Sequence, residues 1–168
     1  MSQTTTKQWS ASKLLLVVAV VAIVAGAATG LTVGYSVRYE APTTRAFYLF
    51  NSGLPFDQDV WKMPHDTFSP DRITVNKGDN VVIYYRNIED TTEDHNFHMD
   101  SPYTFDVVVH AGQTENFPVV STLHGTSDVT IHVNQTATIT FRANWAGVFP
   151  YQCLIHQPTM TGYLVVLG

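Results

Sequence analysis

The stretch GVFPYQCLIHQPTMTGYLVVL, residues 147–167, reads as two β-strands joined by a short polar loop. Its two ends, 147–152 and 163–167, are rich in β-branched and aromatic residues and therefore favour strands. The loop between them carries a thiol, an imidazole and a thioether, which belong to Cys153, His156 and Met160. A loop of this size can wrap three ligating side chains around one metal ion.

The chemistry of these donors indicates which metal would bind. Thiolate and thioether sulfurs are soft ligands, and imidazole suits copper well. Two His, one Cys and a weak axial Met form the trigonal site of blue copper electron carriers, so we predict one mononuclear copper ion. Zinc is the rival, because two His and one Cys can hold Zn²⁺ with water as the fourth ligand. Thioether is a poor zinc ligand, and the close Cys–His–Met loop favours copper.

The second imidazole must come from another part of the chain, and His95 is the candidate. If His95 begins a strand and points inward, strand alternation puts Phe97 and Met99 on the same face and His98 on the other. Phe97 and Met99 are apolar residues suited to a core, so the strand orientation that points His95 inward is consistent with its neighbours. His98 is the less favoured ligand. The remaining histidines lack ligand spacing and are interpreted as surface or hydrogen-bonded residues: His65, His110, His124 and His132.

Charge and cysteine content exclude several kinds of function. Residues 38–168 carry seven basic and 14 acidic side chains, a formal charge of −7. This argues against a nucleic-acid partner, since phosphate neutralisation needs clustered Lys and Arg, but it permits a basic protein partner. The acidic run of Glu89, Asp90, Glu93 and Asp94 could steer such a partner, although a solvated loop is favoured slightly. The single cysteine excludes an intramolecular disulfide and any Cys-pair metal site.

An uncharged apolar segment, Leu14–Val37, precedes this acidic part of the chain. Its 24 residues are enough for a helix to cross the roughly 30 Å hydrocarbon core of a membrane. Lys7 and Lys13 then predict a cytoplasmic tail over 1–13 and an exported domain on the cell membrane, although Arg38 and Arg45 weaken this charge asymmetry.

A cleaved signal peptide is the competing interpretation of the same segment. Residues 25–27 (Ala-Gly-Ala) resemble a cleavage site, but the apolar run continues beyond them to Val37 and favours an uncleaved anchor over 14–37. Gly26, Gly30 and Gly34 form a small-residue stripe that would let a second helix approach closely. Such a stripe is also common in membrane helices without a partner.

Beyond the apolar segment the chain reads as short strands separated by turns, with no sustained helical period. This pattern indicates a β-sandwich or barrel. We predict a linker and first strand over 38–59, followed by an all-β domain over 60–168. Asn134-Gln135-Thr136 is a glycosylation sequon and equally a plausible turn.

Several stretches of residues 60–168 resemble the cupredoxins, and more closely the copper domain of haem-copper oxidase subunit II. His95-Asn96-Phe97-His98 is similar to the His-Gly-Phe-His of that family, whose first His binds copper. Residues 146–153 (AGVFPYQC) resemble the Gly-x-Tyr-x-x-x-Cys entry to its copper loop, and His156, Met160 and Gly162 match the residues that close the loop. The resemblance implies a Greek-key β-sandwich. One helix before the domain is similar to the short subunit II of some prokaryotic oxidases.

The chain also departs from subunit II, and the departure concerns the metal. The binuclear CuA centre uses two cysteines spaced Cys-x-x-x-Cys, whereas Cys153 has no second cysteine beside it. The Cys-x-x-His-x-x-x-Met spacing resembles instead the mononuclear loops of plastocyanin, amicyanin and halocyanin. In cupredoxins an Asn beside the first His ligand commonly ties the ligand loops together, and Asn96 matches that position.

The resemblance implies an electron carrier, not an enzyme, that passes single electrons between respiratory-chain partners such as a cytochrome or a terminal oxidase. Leu154, Ile155 and Pro158 would form an apolar docking patch around the edge of His156. The alternative is an accessory subunit of a membrane oxidase. A copper nitrite reductase needs a second, His-rich copper site, for which no further His cluster is seen, and a storage protein would favour Met-rich or His-rich tracts.

Overall fold

A computed structural model of the protein describes residues 10–38, 41–54, 58–88 and 92–168. The chain divides into two compact units, Met1–Glu40 and Ala41–Gly168. The predicted tail over 1–13 therefore lies mostly outside the described residues, as do Glu89 and Asp90 of the acidic run.

In the part of the first unit that the structure describes there is one helix, α1, over Ala11–Arg38. Within it, Ala11–Gly30 is long and apolar enough to cross a membrane, and a signal sequence would have the same length and composition. A Cβ built on Gly26 or Gly30 would meet no atom within 4 Å. Both the orientation of α1 and its helix partner stay predictions, and the surroundings of Gly34 lie outside the described residues.

Over its described residues, the second unit is built from β-strands and one short helix. The elements are β1 (Thr44–Gly53), α2 (Gln58–Trp61), β2 (Asp66–Ser69), β3 (Arg72–Asn76), β4 (Asn80–Arg86), β5 (His95–Met99), β6 (Phe105–His110), β7 (Val119–Thr126), β8 (Asp128–Ile131), β9 (Thr136–Arg142), β10 (Gly147–Gln152) and β11 (Thr161–Leu167).

These strands form two sheets, in the orders β2-β1-β4-β9-β6-β7 and β3-β11-β10-β5-β8. Strands β1 and β4 are parallel, as are β3 and β11, and the other pairs are antiparallel. The predicted all-β sandwich after an apolar helix is confirmed. Strand β1, grouped with the linker in the sequence, pairs with both β2 and β4 in the six-stranded sheet.

The core lies between the sheets because alternate residues of strands such as β3, β4 and β11 face inward. Its middle is an aromatic cluster in which the Tyr151 ring lies 5.1 Å from that of Phe68 and 5.4 Å from that of Phe97. Phe97 and Met99 of β5 are buried with His95, as strand alternation predicts, while His98 is only partly buried. Asn96 is buried too, which alternation does not predict.

Strands β2 and β7 are not indicated by the sequence, because neither shows apolar residues at alternate positions. Strand β7 lies at a sheet edge and is exposed or only partly buried along its length, so no apolar alternation marks it. Strand β2 is four residues long and begins with a buried acid, Asp66.

A second buried acid, Asp79, holds the β3–β4 turn. Its carboxylate accepts hydrogen bonds from the backbone N–H of Thr43 at 2.8 Å, from that of Asn76 at 3.0 Å and from Arg45 Nε at 3.3 Å. Burial alone would raise the pKa of Asp79, but these hydrogen bonds outweigh it and lower the pKa below its usual value. Asp79 is therefore a satisfied structural carboxylate.

Candidate metal centre

Three potential metal ligands converge at one end of the five-stranded sheet. His95 begins β5, Cys153 directly follows β10, and His156 lies in the β10–β11 loop. The Cys153 Sγ is 3.5 Å from Nδ1 of His156 and 4.0 Å from Nδ1 of His95, and the two imidazole centroids are 4.6 Å apart. One ligand atom from each residue lies within 4.8 Å of the others, so a single ion could be bound by all three.

The β10–β11 loop is closed by its own backbone. The N–H of Cys153 donates to the carbonyl of Met160 at 3.0 Å, which brings the two ends of the loop together. Inside the loop, His156 N–H donates to Cys153 O at 3.3 Å and Met160 N–H donates to His156 O at 3.1 Å. These hydrogen bonds turn the chain so that residues 153, 156 and 160 share one small region.

Met160 is fully buried and belongs to the hydrophobic core, beside the closure of the loop. Its backbone partner is Cys153, so the thioether and the thiol come from directly paired positions. Its role as the weak axial ligand stays a prediction, since a buried methionine is also an ordinary core residue.

Asn96 ties the two ligand-bearing segments together. Its Oδ1 accepts a hydrogen bond from the backbone N–H of Leu154 at 2.7 Å, and its backbone N–H donates to Cys153 Sγ at 3.4 Å. Its Nδ2 donates to Asp128 Oδ1 at 2.6 Å. Because each polar group has a partner, Asn96 can be buried, and it holds the Cys153 segment against β5.

Replacing Asn96 with Ala should weaken both the fold and the metal site. We expect the free energy of unfolding to fall by about 2 kcal/mol, because the Leu154 N–H loses a buried acceptor. We also expect copper affinity to fall by roughly 10–100-fold, the usual cost of losing a residue that orients metal ligands. Chemical denaturation and competition with a copper chelator measure the two effects. Asn144→Ala, at an exposed position, is the control, and an unchanged affinity in Asn96→Ala would contradict the role.

Burial shifts the pKa values of two candidate ligands, His95 and Cys153. Desolvation, followed by the neighbouring His156, lowers the pKa of His95 to about 4, although Asp66 and Asp94 oppose this. Desolvation raises the pKa of the Cys153 thiol, against hydrogen bonds from nearby backbone N–H groups. At neutral pH His95 is therefore neutral and ready to bind a metal, whereas Cys153 must release its proton when it does so.

Four other histidines have partners outside this group of ligands. The His98 ring has Asp100 at 3.2 Å and Asp128 at 3.7 Å, so it faces carboxylates and not the cysteine. His110 is hydrogen-bonded to the carbonyl of Phe117 at 2.9 Å. Two more form exposed ion pairs, His124 with Asp106 and His132 with Asp94. These contacts agree with their interpretation as surface or hydrogen-bonded residues.

The structure adds one residue that the sequence did not single out. The Asp66 carboxylate lies 3.9 Å from Nε2 of His156, although 90 positions separate the two residues. No spacing or motif marks Asp66, because only the pairing of β2 with β1 brings it to this end of the sandwich. A surface cleft lined by Asp59, Lys62, Met63, Pro64 and His156 lies beside it.

The sequence of the sandwich matches a known family. A model of the multicopper oxidase family matches residues 44–167, which is most of the chain. No curated protein sequence is similar enough to count as a match.

The fold also matches solved structures. One is a copper-containing nitrite reductase from Thermus scotoductus SA-01, with a TM-score of 0.53 and 14% sequence identity over 72% of this chain and 30% of that one. At this identity the likeness shows the fold alone, and the chain spans less than a third of that enzyme's length. The predicted cupredoxin fold is thereby confirmed.

Proposed function

Because the chain belongs to the multicopper oxidase family, we propose that it is a membrane-anchored carrier of single electrons that binds one copper ion through His95, Cys153, His156 and Met160. The observation that carries this proposal is the convergence of one thiol and two imidazoles around one point, at the end of a loop closed by Met160.

The donor set fits copper. Two nitrogen donors and one thiolate suit a trigonal site, and a thioether at the fourth position is a weak copper ligand but a poor zinc ligand. When bound, copper would supply one-electron chemistry by alternating between Cu(I) and Cu(II). Hydrogen bonds hold both segments that carry the ligands, the start of β5 and the β10–β11 loop. This supports a site whose shape would change little between the Cu(I) and Cu(II) states.

The surface beside His156 supports contact with a redox partner. Leu154 and Ile155 are 52% and 53% exposed, although both are apolar. They directly precede His156, whose side chain is 13% exposed. Exposed apolar side chains beside a buried redox site are suited to brief docking, because they exclude water without strong ion pairs. A cytochrome or a terminal oxidase is the partner that the subunit II resemblance implies.

The apolar helix α1 would hold the copper domain at the membrane surface. With Lys7 and Lys13 in the cytoplasm, the domain would face the outside of the cell membrane. Anchoring keeps a carrier near membrane partners and removes the need for tight binding to them.

An optical and electron paramagnetic resonance spectrum of the full-length, copper-loaded protein in detergent tests the proposal. We expect an intense visible charge-transfer band, a single mononuclear Cu(II) signal and one copper per chain. A colourless copper-loaded protein would refute the blue copper site. Two coppers per chain would refute the mononuclear one.

The alternative is an accessory subunit of a membrane oxidase, which the small-residue stripe of Gly26, Gly30 and Gly34 and the subunit II resemblance support. Native gels after extraction in mild detergent distinguish the two. Migration of the protein as a lone band supports the separate carrier, and co-migration with haem-containing subunits supports the oxidase subunit.

A further inference from the structure

The buried acid next to the candidate copper site has an unusual environment. Asp66 is 1% exposed, and neither carboxylate oxygen accepts a hydrogen bond from any described residue. A buried carboxylate without a partner is strongly unfavourable, so such a group calls for a nearby donor or cation. Asp79 shows the ordinary solution in this same protein, since it is equally buried but accepts several hydrogen bonds.

Two described groups lie near the Asp66 carboxylate, the carboxylate of Glu93 and the imidazole of His156, and the ligand atoms of all three residues lie within 4.8 Å of one another. Of the two neighbours, the imidazole is the one that carries an N–H donor. Its Nε2 lies 3.9 Å from Asp66 Oδ2, and its Nδ1 lies 3.5 Å from Cys153 Sγ. The ring therefore stands between a thiol and a carboxylate, with one nitrogen directed to each. A distance of 3.9 Å lies within ion-pair range and beyond a hydrogen bond.

Two hydrogen bonds hold Asp66 in this place. The Thr159 hydroxyl, in the copper loop, donates to the carbonyl of Pro64 at 2.9 Å, just before β2. The Tyr151 hydroxyl, on β10, donates to the carbonyl of Pro70 at 2.8 Å, just after β2. Both ends of this strand are thus fastened to the segments that carry Cys153 and His156, so the Asp66–His156 contact is built into the fold.

We propose that Asp66 is a positioning residue for His156: with a small closure of the 3.9 Å gap to hydrogen-bond distance, the Asp66 carboxylate receives the Nε2–H of the imidazole and leaves Nδ1 free to bind the metal. The inference rests on the proposed copper function. A carboxylate behind a metal-bound histidine fixes its tautomer and ring orientation and makes it a stronger donor. Its negative charge also stabilises Cu(II) relative to Cu(I), because the additional positive charge lies close to a buried anion. Asp66 therefore lowers the reduction potential.

Two variants separate the charge of Asp66 from its hydrogen-bonding role. Asp66→Asn removes the charge but keeps an oxygen that can accept the Nε2–H, and Asp66→Leu removes both. The full-length protein in detergent, labelled with ¹⁵N-histidine, is compared with each variant at one neutral pH. In the metal-free protein we expect His156 to carry its proton on Nε2, to keep it there in Asp66→Asn, and to populate the Nδ1–H form in Asp66→Leu.

In the copper-loaded protein, Asp66→Asn should raise the affinity for Cu(I) relative to the affinity for Cu(II) by about tenfold or more. For a one-electron couple this raises the reduction potential by about 59 mV. Asp79→Asn is the matched control, since it neutralises an equally buried carboxylate away from the site. We expect that control to lose stability without a change in potential.

The outcomes distinguish this inference from the proposed function. An unchanged tautomer in Asp66→Leu, or an unchanged potential in Asp66→Asn, overturns the positioning role even when the protein is a blue copper carrier. A protein that binds no copper refutes the proposed function, yet the tautomer measurement still tests the contact. Because Glu93 lies close to Asp66 and His156, a second bound ion lost in Asp66→Asn, measured by metal analysis, would show a cation site and overturn the inference.

Discussion

Cys153→Ser is expected to abolish the intense visible absorption of the copper-loaded protein completely. In a blue copper site this band arises from charge transfer between thiolate and copper, and a serine hydroxyl is neither soft nor ionised at neutral pH. The protein has one cysteine, so no other thiol can take its place. Optical and electron paramagnetic resonance spectra before and after copper loading measure the effect.

Loss of the band must be separated from loss of the fold. Serine is close to cysteine in size, and the backbone hydrogen bonds that close the loop at position 153 do not depend on the side chain. We therefore expect the free energy of unfolding of the metal-free variant to fall by only about 1–2 kcal/mol, the cost of burying a hydroxyl. A folded Cys153→Ser protein that keeps the band would disprove Cys153 as the copper ligand.

Gly162→Ala is expected to be the most damaging single methyl addition near the site. A Cβ at this position would overlap the ring of Tyr151, its cross-strand partner in β10. That ring cannot move aside, because it packs against Phe68 and Phe97 and its hydroxyl donates to the carbonyl of Pro70. We expect the free energy of unfolding to fall by about 3 kcal/mol, the upper end of ordinary overpacking.

The same substitution should also weaken copper binding. Gly162 is two residues after Met160, and Tyr151 is two residues before Cys153, so forcing β10 and β11 apart at this point opens the base of the loop. Denaturation and chelator competition measure both effects. Gly168→Ala adds the same methyl at the end of the chain and should change stability by less than about 0.5 kcal/mol. Equal stability of Gly162→Ala and the unchanged protein would contradict the overlap.

Much of the candidate site could be predicted because its parts are local. Cys153, His156 and Met160 lie within eight residues, and the loop that joins them is closed by hydrogen bonds between its own members. The inward direction of His95 followed from alternation with Phe97, which depends only on strand geometry. The fold class followed similarly from short strands and turns, and the family match agrees with it.

Contacts between distant segments could not be predicted in this way. The buried position of Asn96 depends on the Leu154 N–H, 58 residues away, and on the loop that covers it. Strand β7 has no buried face, so its pairing with β6 is visible only in three dimensions.

By itself, the sequence determined the apolar helix, the β-sandwich class, and a donor set suited to copper, because composition, alternation and spacing act over a few residues. Only the tertiary structure decided what surrounds those donors. Asp66 reaches the Nε2 edge of His156 because β2 is fastened at both ends to the segments that carry Cys153 and His156. Such a neighbour is selected by packing between strands far apart in the chain, and no local pattern records it.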